Sequence, residues 1–486
     1  MELKDERPIV VGIGEALLDR FIDDTKNQDN TKRIKKEELG GAPLIFAYHA
    51  AHTHCRGVIV SALGLNAKGE LDRTGRKIKK ELERINLWEE SKQYIFEVEN
   101  RRSGTVIVND SDKNNPLYNI KINSAWSNIP WKNSLKDLAE KTVAVYFGPL
   151  ASFCGKSSKG TSKQTIDTFI DIMPNECYVD AVPKECYKIF DVNLRHNPNK
   201  KGKHNKELYD EELIRKYIGK CNVLKANTEE LDYVSKIFNI NIDDCDKKEK
   251  NDALGKKLLD CCANIKILIL TKGKEGSTIF WRNEEDKRIV FSQSIHISVE
   301  PENTVGAGDA MVGAFIGGLL NGKSIPDAHY LAALRSDKVC REGKSMPKLI
   351  SPYVFISYSR KDEEVVSFFC KKFDDDGIKY WRDLDNLECG DVVPNEIIEA
   401  IKNCKAFVYF SSKNATESET VKNEIDKAIS HNKKIFIVKL DITPFPEKIQ
   451  SYSKKKQYSN FAKEYDALNK KVNKFVNQIG NKIAKT

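Results

Sequence analysis

From Ile9 onward, short runs of apolar and β-branched residues alternate with longer amphipathic stretches. The runs Ile9–Ile13, Gly57–Ala62, Val143–Phe147, Lys188–Val192, Val223–Lys225 and Ile265–Leu270 predict strands. Alternation of this kind builds a mainly parallel sheet covered by helices. Between Tyr94 and Ile122 the pattern switches to polar–apolar alternation with turns, as in Thr105-Val-Ile-Val108 and Leu117-Tyr-Asn-Ile120, which predicts a small antiparallel lid beside the main sheet. A second α/β series starts at Tyr353: strand Tyr353–Tyr358, a helix from Asp362, strand Ile378–Trp381, helix Asn395–Asn403, strand Ala406–Phe410, helix Ser418–Ser430 and strand Lys434–Lys439. Gly377 stands where the first of these helices must stop, a position for a left-handed cap. The junction, about Lys344 to Pro352, carries Pro347 and Pro352, which predicts a short linker that couples two domains closely.

The chain has 486 residues, enough for two or three ordinary cores. Its net charge of +9 comes from 80 basic and 71 acidic residues spread along the whole sequence, so no basic tail points to nucleic acid and the charges read as a solvated surface. Twelve cysteines fall at irregular places without a Cys-x-x-Cys pair, the usage of free thiols in a reducing cytoplasm. The charged N-terminus lacks the apolar core of a signal peptide, and no apolar run approaches the roughly 20 residues of a membrane span. The expectation is a cytoplasmic protein away from membranes.

Two segments carry candidate chemistry. The first, Asn303-Thr-Val-Gly-Ala-Gly-Asp309, runs straight into the helical stretch Ala310–Leu320. Small residues at Gly306, Ala307 and Gly308 let backbone N–H groups approach a phosphate at a helix N-terminus. Asp309, in the first helical turn, is placed to take the proton of an acceptor hydroxyl. Alone, the same segment reads equally as an ordinary Gly-rich helix start with a favourable acidic residue. Further segments resemble the ribokinase/PfkB family, in its fructokinase-like branch, over residues 8–348: Gly14-Glu-Ala-Leu-Leu-Asp19, Gly40-Gly-Ala-Pro43, Ser103-Gly-Thr-Val106, Phe147-Gly-Pro-Leu150, Asp191-Val-Asn-Leu-Arg195, Lys225-Ala-Asn-Thr-Glu-Glu230 and Thr271-Lys-Gly273. The resemblance implies a ribokinase-like α/β domain with a small β lid, and an ATP- and Mg2+-dependent kinase of a sugar or nucleoside. It implies that Asp19, Gly40 and Gly41 contact the acceptor, that Asn227 and Glu230 organise magnesium and phosphate, that Thr271 and Gly273 line the nucleotide site, and that Asp309 is the base. Three departures alter this pattern: Ile45 stands where the family carries asparagine, and Asn66 and Asn303 stand where it carries aspartate. They change acceptor choice and any monovalent-cation site, and leave open a domain that binds its ligand and turns over slowly.

Two spellings nearby are decoys. Gly317-Gly-Leu-Leu-Asn-Gly-Lys-Ser324 fits the P-loop pattern, but its first glycine lies inside the predicted helix and Ser324 with Pro326 opens the next one. His49, His52, His54 and Cys55 cluster in sequence without a second ligand group to complete a metal site.

The second segment, Tyr353-Val-Phe-Ile-Ser-Tyr-Ser-Arg-Lys-Asp362, ends a buried strand in polar residues at its carboxyl end, where open α/β sheets bind ligands. It resembles the opening box of Toll/interleukin-1 receptor (TIR) domains, and the likeness continues over residues 351–480 through Gly377-Ile-Lys-Tyr-Trp-Arg-Asp383, the loop Leu384–Pro394 and Glu424. The resemblance implies a flavodoxin-like parallel sheet. It also implies that Glu424 is the glutamate with which catalytic TIR domains cleave NAD+ at the nicotinamide–ribose bond, with Phe355, Ser357, Trp381 and Asp383 as NAD-pocket neighbours. An aromatic residue found one turn before that glutamate in some members is Thr420 here. Read from the residues alone, Glu424 is one acid on a charged helix face, Lys422-Asn-Glu-Ile-Asp-Lys427. The loop Leu384–Pro394 resembles the one through which TIR domains stack, which implies self-association. The leading expectation is an NAD+ hydrolase governed by a PfkB-like sugar- or nucleoside-binding domain, similar to bacterial antiphage proteins that deplete NAD+. The alternative is a carbohydrate or nucleoside kinase whose TIR domain is an interaction module, and a third is an oligomeric scaffold with both sites inactive.

Overall fold

The computed structural model describes residues 7–26, 32–109, 117–121, 123–152, 160–179, 182–194, 210–242, 247–283, 288–294, 302–347, 353–375, 380–382, 395–450 and 458–460. Arg195, Gly377, Asp383, the loop 384–394 and Pro352 lie outside these residues. The chain divides into two compact units, Met1–Leu349 and Ile350–Thr486.

The first unit is built on a nine-stranded sheet. Its strands run, edge to edge, Ile289–Ser294, Ser277–Arg282, Ile267–Thr271, Val223–Asn227, Tyr187–Asp191, Thr142–Phe147, Ile9–Ile13, Arg56–Gly64 and Ile95–Val98. The last seven pair in parallel, and the first two add an antiparallel hairpin at one edge. Central strands are buried on both faces, which is why they read as unbroken apolar runs: all six residues of Thr142–Phe147 are buried. Two helices are apolar around their whole circumference, Ala42–Ala51 and Ala307–Leu320, and they pack on each other inside the unit.

The expected antiparallel pair, Gly104–Asn109 with Leu117–Ile120, is present, but the lid is larger than the sequence expectation. It has four strands in the order Lys32–Gly40, Leu17–Lys26, Gly104–Asn109, Leu117–Ile120, and its central pair, Leu17–Lys26 with Gly104–Asn109, is parallel. The two N-terminal strands are dense in Lys, Arg, Asp and Glu, which hides their alternation. Leu17, Phe21, Val106 and Val108 form one buried cluster, joined by Val305 from the Gly-rich segment, while Leu18 and Leu39 pack into another.

The second unit holds a five-stranded, all-parallel sheet in the order Tyr380–Trp381, Val354–Ser357, Ala406–Ser411, Ile435–Lys439, Tyr458–Asn460. Counted along the unit this is 2-1-3-4-5, the flavodoxin-like order. Strand residues alternate between two apolar clusters, with Val354, Ile356, Val408 and Phe410 on one face and Phe355, Phe407, Tyr409 and Ile437 on the other. Phe369 and Phe373, from the helix Glu363–Asp375, cover the first face; Ile401 and Ile425, from Asn395–Asn403 and Glu419–Ser430, cover the second.

Candidate active sites

A cleft of about 1380 Å³ opens in the first unit at the carboxyl ends of the parallel strands, between sheet and lid. That exceeds the roughly 300–1,000 Å³ of a single-ligand pocket. Asp19, Gly41, Asn227, Thr271, Gly273, Gly306, Ala307, Gly308 and Asp309 all line it, so residues far apart in sequence converge there. Gly40 lies next to the cleft-lining Asp19: the Asp19 carboxylate occupies the space that a side chain at Gly40 would fill. Gly306 is the N-cap of helix Ala307–Leu320 with φ +78°, and a Cβ there would stand 2.7 Å from Ser345 Cβ and 2.9 Å from Ile45 Cδ1. Both the left-handed backbone and the space require glycine. The Ala307 N–H donates to Thr304 O at 3.2 Å, so within this turn it is partly spent on the backbone.

Asp309 is buried and sits in a polar network that the sequence motifs did not reveal. The Tyr146 hydroxyl, at the centre of the sheet, lies 2.7 Å from Asp309 Oδ1 and is also hydrogen-bonded to Asp191 Oδ2. Lys225 Nζ pairs with Asp191 Oδ1 at 2.9 Å. Burial, and then the Asp191 and Asp309 carboxylates, push the Tyr146 phenol well above its usual range, so it is a donor at every physiological pH. Burial opposes the charge of Lys225, but the neighbouring Asp191, Glu230 and Asp309 outweigh it and hold the ammonium above its usual range. The available signal was Tyr146 lying two residues before Gly148 on an otherwise apolar strand.

Glu230 lies behind the cleft rather than on it. Its carboxylate accepts from Leu194 N at 2.8 Å and Asn227 N at 2.7 Å, while Asn227 Oδ1 accepts from Glu230 N at 2.9 Å, a capping box that opens helix Thr228–Ile237. Asn227 is thereby the member of the pair that faces the ligand space. Of the three departures, Ile45 lines the cleft and Asn303 Oδ1 accepts from Val305 N at 2.9 Å, fixing the turn before Gly306. Asn66 forms a local turn, its Oδ1 accepting from Lys68 N at 2.8 Å.

The P-loop spelling is two helix ends. Gly317 is inside Ala307–Leu320, Asn321 caps it, and Ser324 caps Ile325–Glu342 by accepting from Asp327 N at 3.2 Å. His49 is fully buried with Nε2 2.8 Å from Ser345 O, and His52 Nδ1 is 2.8 Å from Tyr48 O.

In the second unit Ser357 ends its strand at the carboxyl edge, and its hydroxyl donates to Glu424 Oε2 at 2.5 Å. Glu424 is only 5% exposed, so it is not a solvated member of the charged helix face. Phe355 is wholly buried, stacked between Trp381 (centroids 4.8 Å apart) and Phe407 (5.3 Å), and the half-buried Trp381 carries this stack to the end of the edge strand. Thr420 is exposed. The loop after Ser357 is tied down by contacts that sequence reasoning missed: Glu363 Oε1 accepts from Arg382 at 2.7 Å and Ser367 at 2.8 Å, and Asp362 accepts from Ser412 at 2.5 Å and Asn414 at 2.8 Å.

Comparison with known proteins agrees with this division. The family model of the pfkB carbohydrate kinases matches residues 9–348, and that of the TIR domain matches residues 354–474. No curated protein matches the chain. Among solved structures, 2-dehydro-3-deoxygluconokinase from Thermotoga maritima is similar at 18% identity and a TM-score of 0.53, over 70% of this chain and 96% of that one. An uncharacterized sugar kinase from Pyrococcus horikoshii in complex with ATP is similar at 20% identity and a TM-score of 0.50, over 70% and 94%. At these identities the likeness is one of fold. Among the described residues no helix is long and apolar enough to cross a membrane. The chain belongs to the pfkB family of carbohydrate kinases and carries a TIR domain after its kinase fold.

Proposed function

We propose that the TIR unit hydrolyses NAD+ at the nicotinamide–ribose bond and that ligand binding in the pfkB unit governs it. The observation that carries this reading is the buried Ser357–Glu424 hydrogen bond at the carboxyl edge of the parallel sheet. When the C1′–N bond breaks, its electron pair leaves with nicotinamide, which departs neutral and needs no acid. The positive charge then lies on the ribosyl ring. A carboxylate held beside that ring stabilises the charge, as in glycoside cleavage. Water adds to C1′ and releases a proton, giving ADP-ribose. Ser357 fixes the orientation of Glu424, and the half-buried Trp381, backed by the buried Phe355, supplies an aromatic wall; the expected contribution of Asp383 falls outside the described residues. Self-association through residues 384–394 would assemble active sites, so that the ligand acts by changing the assembly. Rapid NAD+ loss in the cytoplasm would arrest an infected bacterium, the proposed physiological setting.

In the pfkB unit, Asn227, Thr271 and Gly273 would hold ATP, and Gly306, Ala307 and Gly308 would face its terminal phosphate. Mg2+ would be held mainly by the nucleotide's own phosphates, with Asn227 nearby and Glu230 orienting Asn227 through their paired hydrogen bonds. ATP supplies the phosphoryl group and Mg2+ neutralises its charge. Asp309, held by Tyr146, takes the acceptor's proton, while Asp19 positions the acceptor beside Gly40 and Gly41.

The test is nicotinamide release from NAD+ by the full chain, alone and with Mg-ATP plus panels of sugars and nucleosides, with Glu424→Ala and Asp309→Asn as controls. Release that disappears in Glu424→Ala is the expected result. The intact Asp309–Tyr146 pair favours a second reading, a kinase whose TIR domain only mediates interaction. ATP consumption on one acceptor, lost in Asp309→Asn, with no nicotinamide release under any condition, would replace the first reading with that one.

A further inference from the structure

The two halves of the TIR site stand on the ends of adjacent strands, and one carboxylate on the other side of the sheet grips both. On the site face lie the Ser357–Glu424 bond and the Phe355–Trp381 stack, with Trp381 opposite Phe355 in the strand register and Ser357 two residues further along. Side chains alternate across a sheet, so the next residue at each strand end, Tyr358 or Arg382, turns to the opposite face. There helix Glu363–Asp375 covers the sheet and Tyr358 packs on the apolar cluster beneath it. Glu363, in the first turn of that helix, accepts from both: from the Tyr358 hydroxyl on Oε2 and from Arg382 Nη1 on Oε1 at 2.7 Å. Ser367, one turn on, donates to the same Oε1 at 2.8 Å and accepts from Arg382 Nη1 at 3.0 Å. We infer that Glu363 is a positioning residue, whose grip on Tyr358 and Arg382 holds the Trp381 wall in register with Ser357 and Glu424. In the proposed reaction this sets the affinity for NAD+, and to that extent it rests on reading the TIR unit as an NAD+ hydrolase.

The edge strand Tyr380–Trp381 needs such an anchor. It joins the sheet through two register pairs, Val354 with Tyr380 and Phe355 with Trp381, fewer than any other strand pair of that sheet. A strand this short is held only weakly by its ladder. Trp381 is half-buried, so packing secures it from one side only. Arg382 follows directly, and its Nε is buried with no hydrogen-bond partner among the described residues, which leaves Nη1 to make the bonds to Glu363 and Ser367. Burial raises the Glu363 carboxyl, but the contacts from Tyr358, Ser367 and Arg382 outweigh it and bring the group below its usual range, so it is charged at neutral pH. Glu363 and Glu424 come from helices on opposite faces of the sheet. Glu363 therefore acts through the strand ends and not on the substrate.

Steady-state nicotinamide release by the full chain, together with amide hydrogen exchange followed by mass spectrometry, tests this. Glu363→Ala should raise the KM for NAD+ about tenfold and leave kcat within about threefold, because a wall contacts substrate and transition state alike. The figure is the low end for a hydrogen bond to a charged group, since the Glu363 side chain is 42% exposed and water replaces part of what is lost. Exchange at Tyr380 and Trp381 should quicken while Ile435–Lys439, in the same sheet, stays as in wild type. Arg382→Met cuts the same contact from the other side and should reproduce both effects, so the inference is still tested if Glu363→Ala does not fold. Arg382→Lys keeps the cation and should return KM to within about threefold of wild type. A KM within about threefold of wild type in Glu363→Ala and Arg382→Met, a loss confined to kcat, or unchanged exchange at Tyr380 and Trp381 overturns the positioning role. A wild-type protein that releases no nicotinamide removes the NAD+ reading instead. Exchange then decides the clamp alone: quicker exchange in the two variants upholds it, and unchanged exchange overturns it.

Discussion

Replacing Ser357 by alanine isolates the contact on which the proposed NAD+ chemistry depends. The Ser357 hydroxyl donates at 2.5 Å to a carboxylate that is 5% exposed, so water does not readily take the place of the lost donor. A hydrogen bond to a charged group is worth about 1.5–3 kcal/mol. If the bond orients Glu424 for the charge that develops on ribose, its loss should lower kcat roughly 10- to 150-fold. The KM for NAD+ should change by less than about threefold, because the contact does not involve bound substrate directly. Alanine also leaves a buried acceptor short of a donor, which should destabilise the TIR unit by about 1–3 kcal/mol. Ser357→Thr restores a hydroxyl and should recover most of the rate. The assay is nicotinamide release, with TIR-unit unfolding followed by circular dichroism to exclude simple loss of fold. A Ser357→Ala protein within threefold of wild-type kcat, alongside an inactive Glu424→Ala protein, would refute the orienting role. An effect confined to KM would refute it equally.

Other outcomes follow from the first unit. Gly306→Ala forces a side chain into a φ of +78° and against Ser345 and Ile45, so it should cost about 1–3 kcal/mol and abolish binding of an ATP analogue, measured by thermal shift and calorimetry. Tyr146→Phe keeps the ring that stacks on Phe46 at 4.8 Å but removes the donor shared by Asp191 and Asp309. It should lower the unfolding temperature of the unit, and any phosphoryl transfer should fall about tenfold or more; an unchanged melting curve would count against the network. Burial lowers the His329 imidazole to about 4, between Ser277 and Ser292, and His49 well below its usual range, by burial and then by Arg335. Both are kept neutral when folded, so their stability is present above the unfolded value near 6.5 and is lost as pH falls from there towards 4. Proton uptake on unfolding across that window, smaller in His329→Asn, is the measurement.

What the sequence revealed follows from how each element is buried. Ile9–Ile13 and Asn395–Asn403 coincide with their predicted limits, because a central strand and an amphipathic helix both carry an unbroken pattern. Leu17–Lys26 and Lys32–Gly40 escaped notice because charged residues dominate both strands and interrupt their few buried apolar positions, Leu17, Leu18, Phe21 and Leu39. The lid's parallel pairing was illegible for another reason: its partners are joined through most of a sheet half, and only tertiary contact sets their register. The motif residues converge because glycines and carboxylates at strand ends leave local signatures. Ser357 was legible as a pocket neighbour through the strand-end motif that carries it, but not its bond to Glu424, and Tyr146 left only its place two residues before Gly148, since a tyrosine in a buried strand has many common roles. Only the facing carboxylates, Asp191 at a neighbouring strand end and Asp309 and Glu424 on distant helices, give these two a specific one.

The mutual packing of helices Ala42–Ala51 and Ala307–Leu320 has a consequence during synthesis. Nine of the ten residues of the first helix are buried in the finished unit, but the second helix lies about 265 residues further along the chain. At roughly 5–20 residues per second, the ribosome leaves Ile45, which packs on Ala307 and Ala310, uncovered for about 13–53 s before that cover exists. The nascent chain is therefore a natural client for chaperones, and truncation anywhere before residue 307 leaves a greasy helix that cannot be hidden.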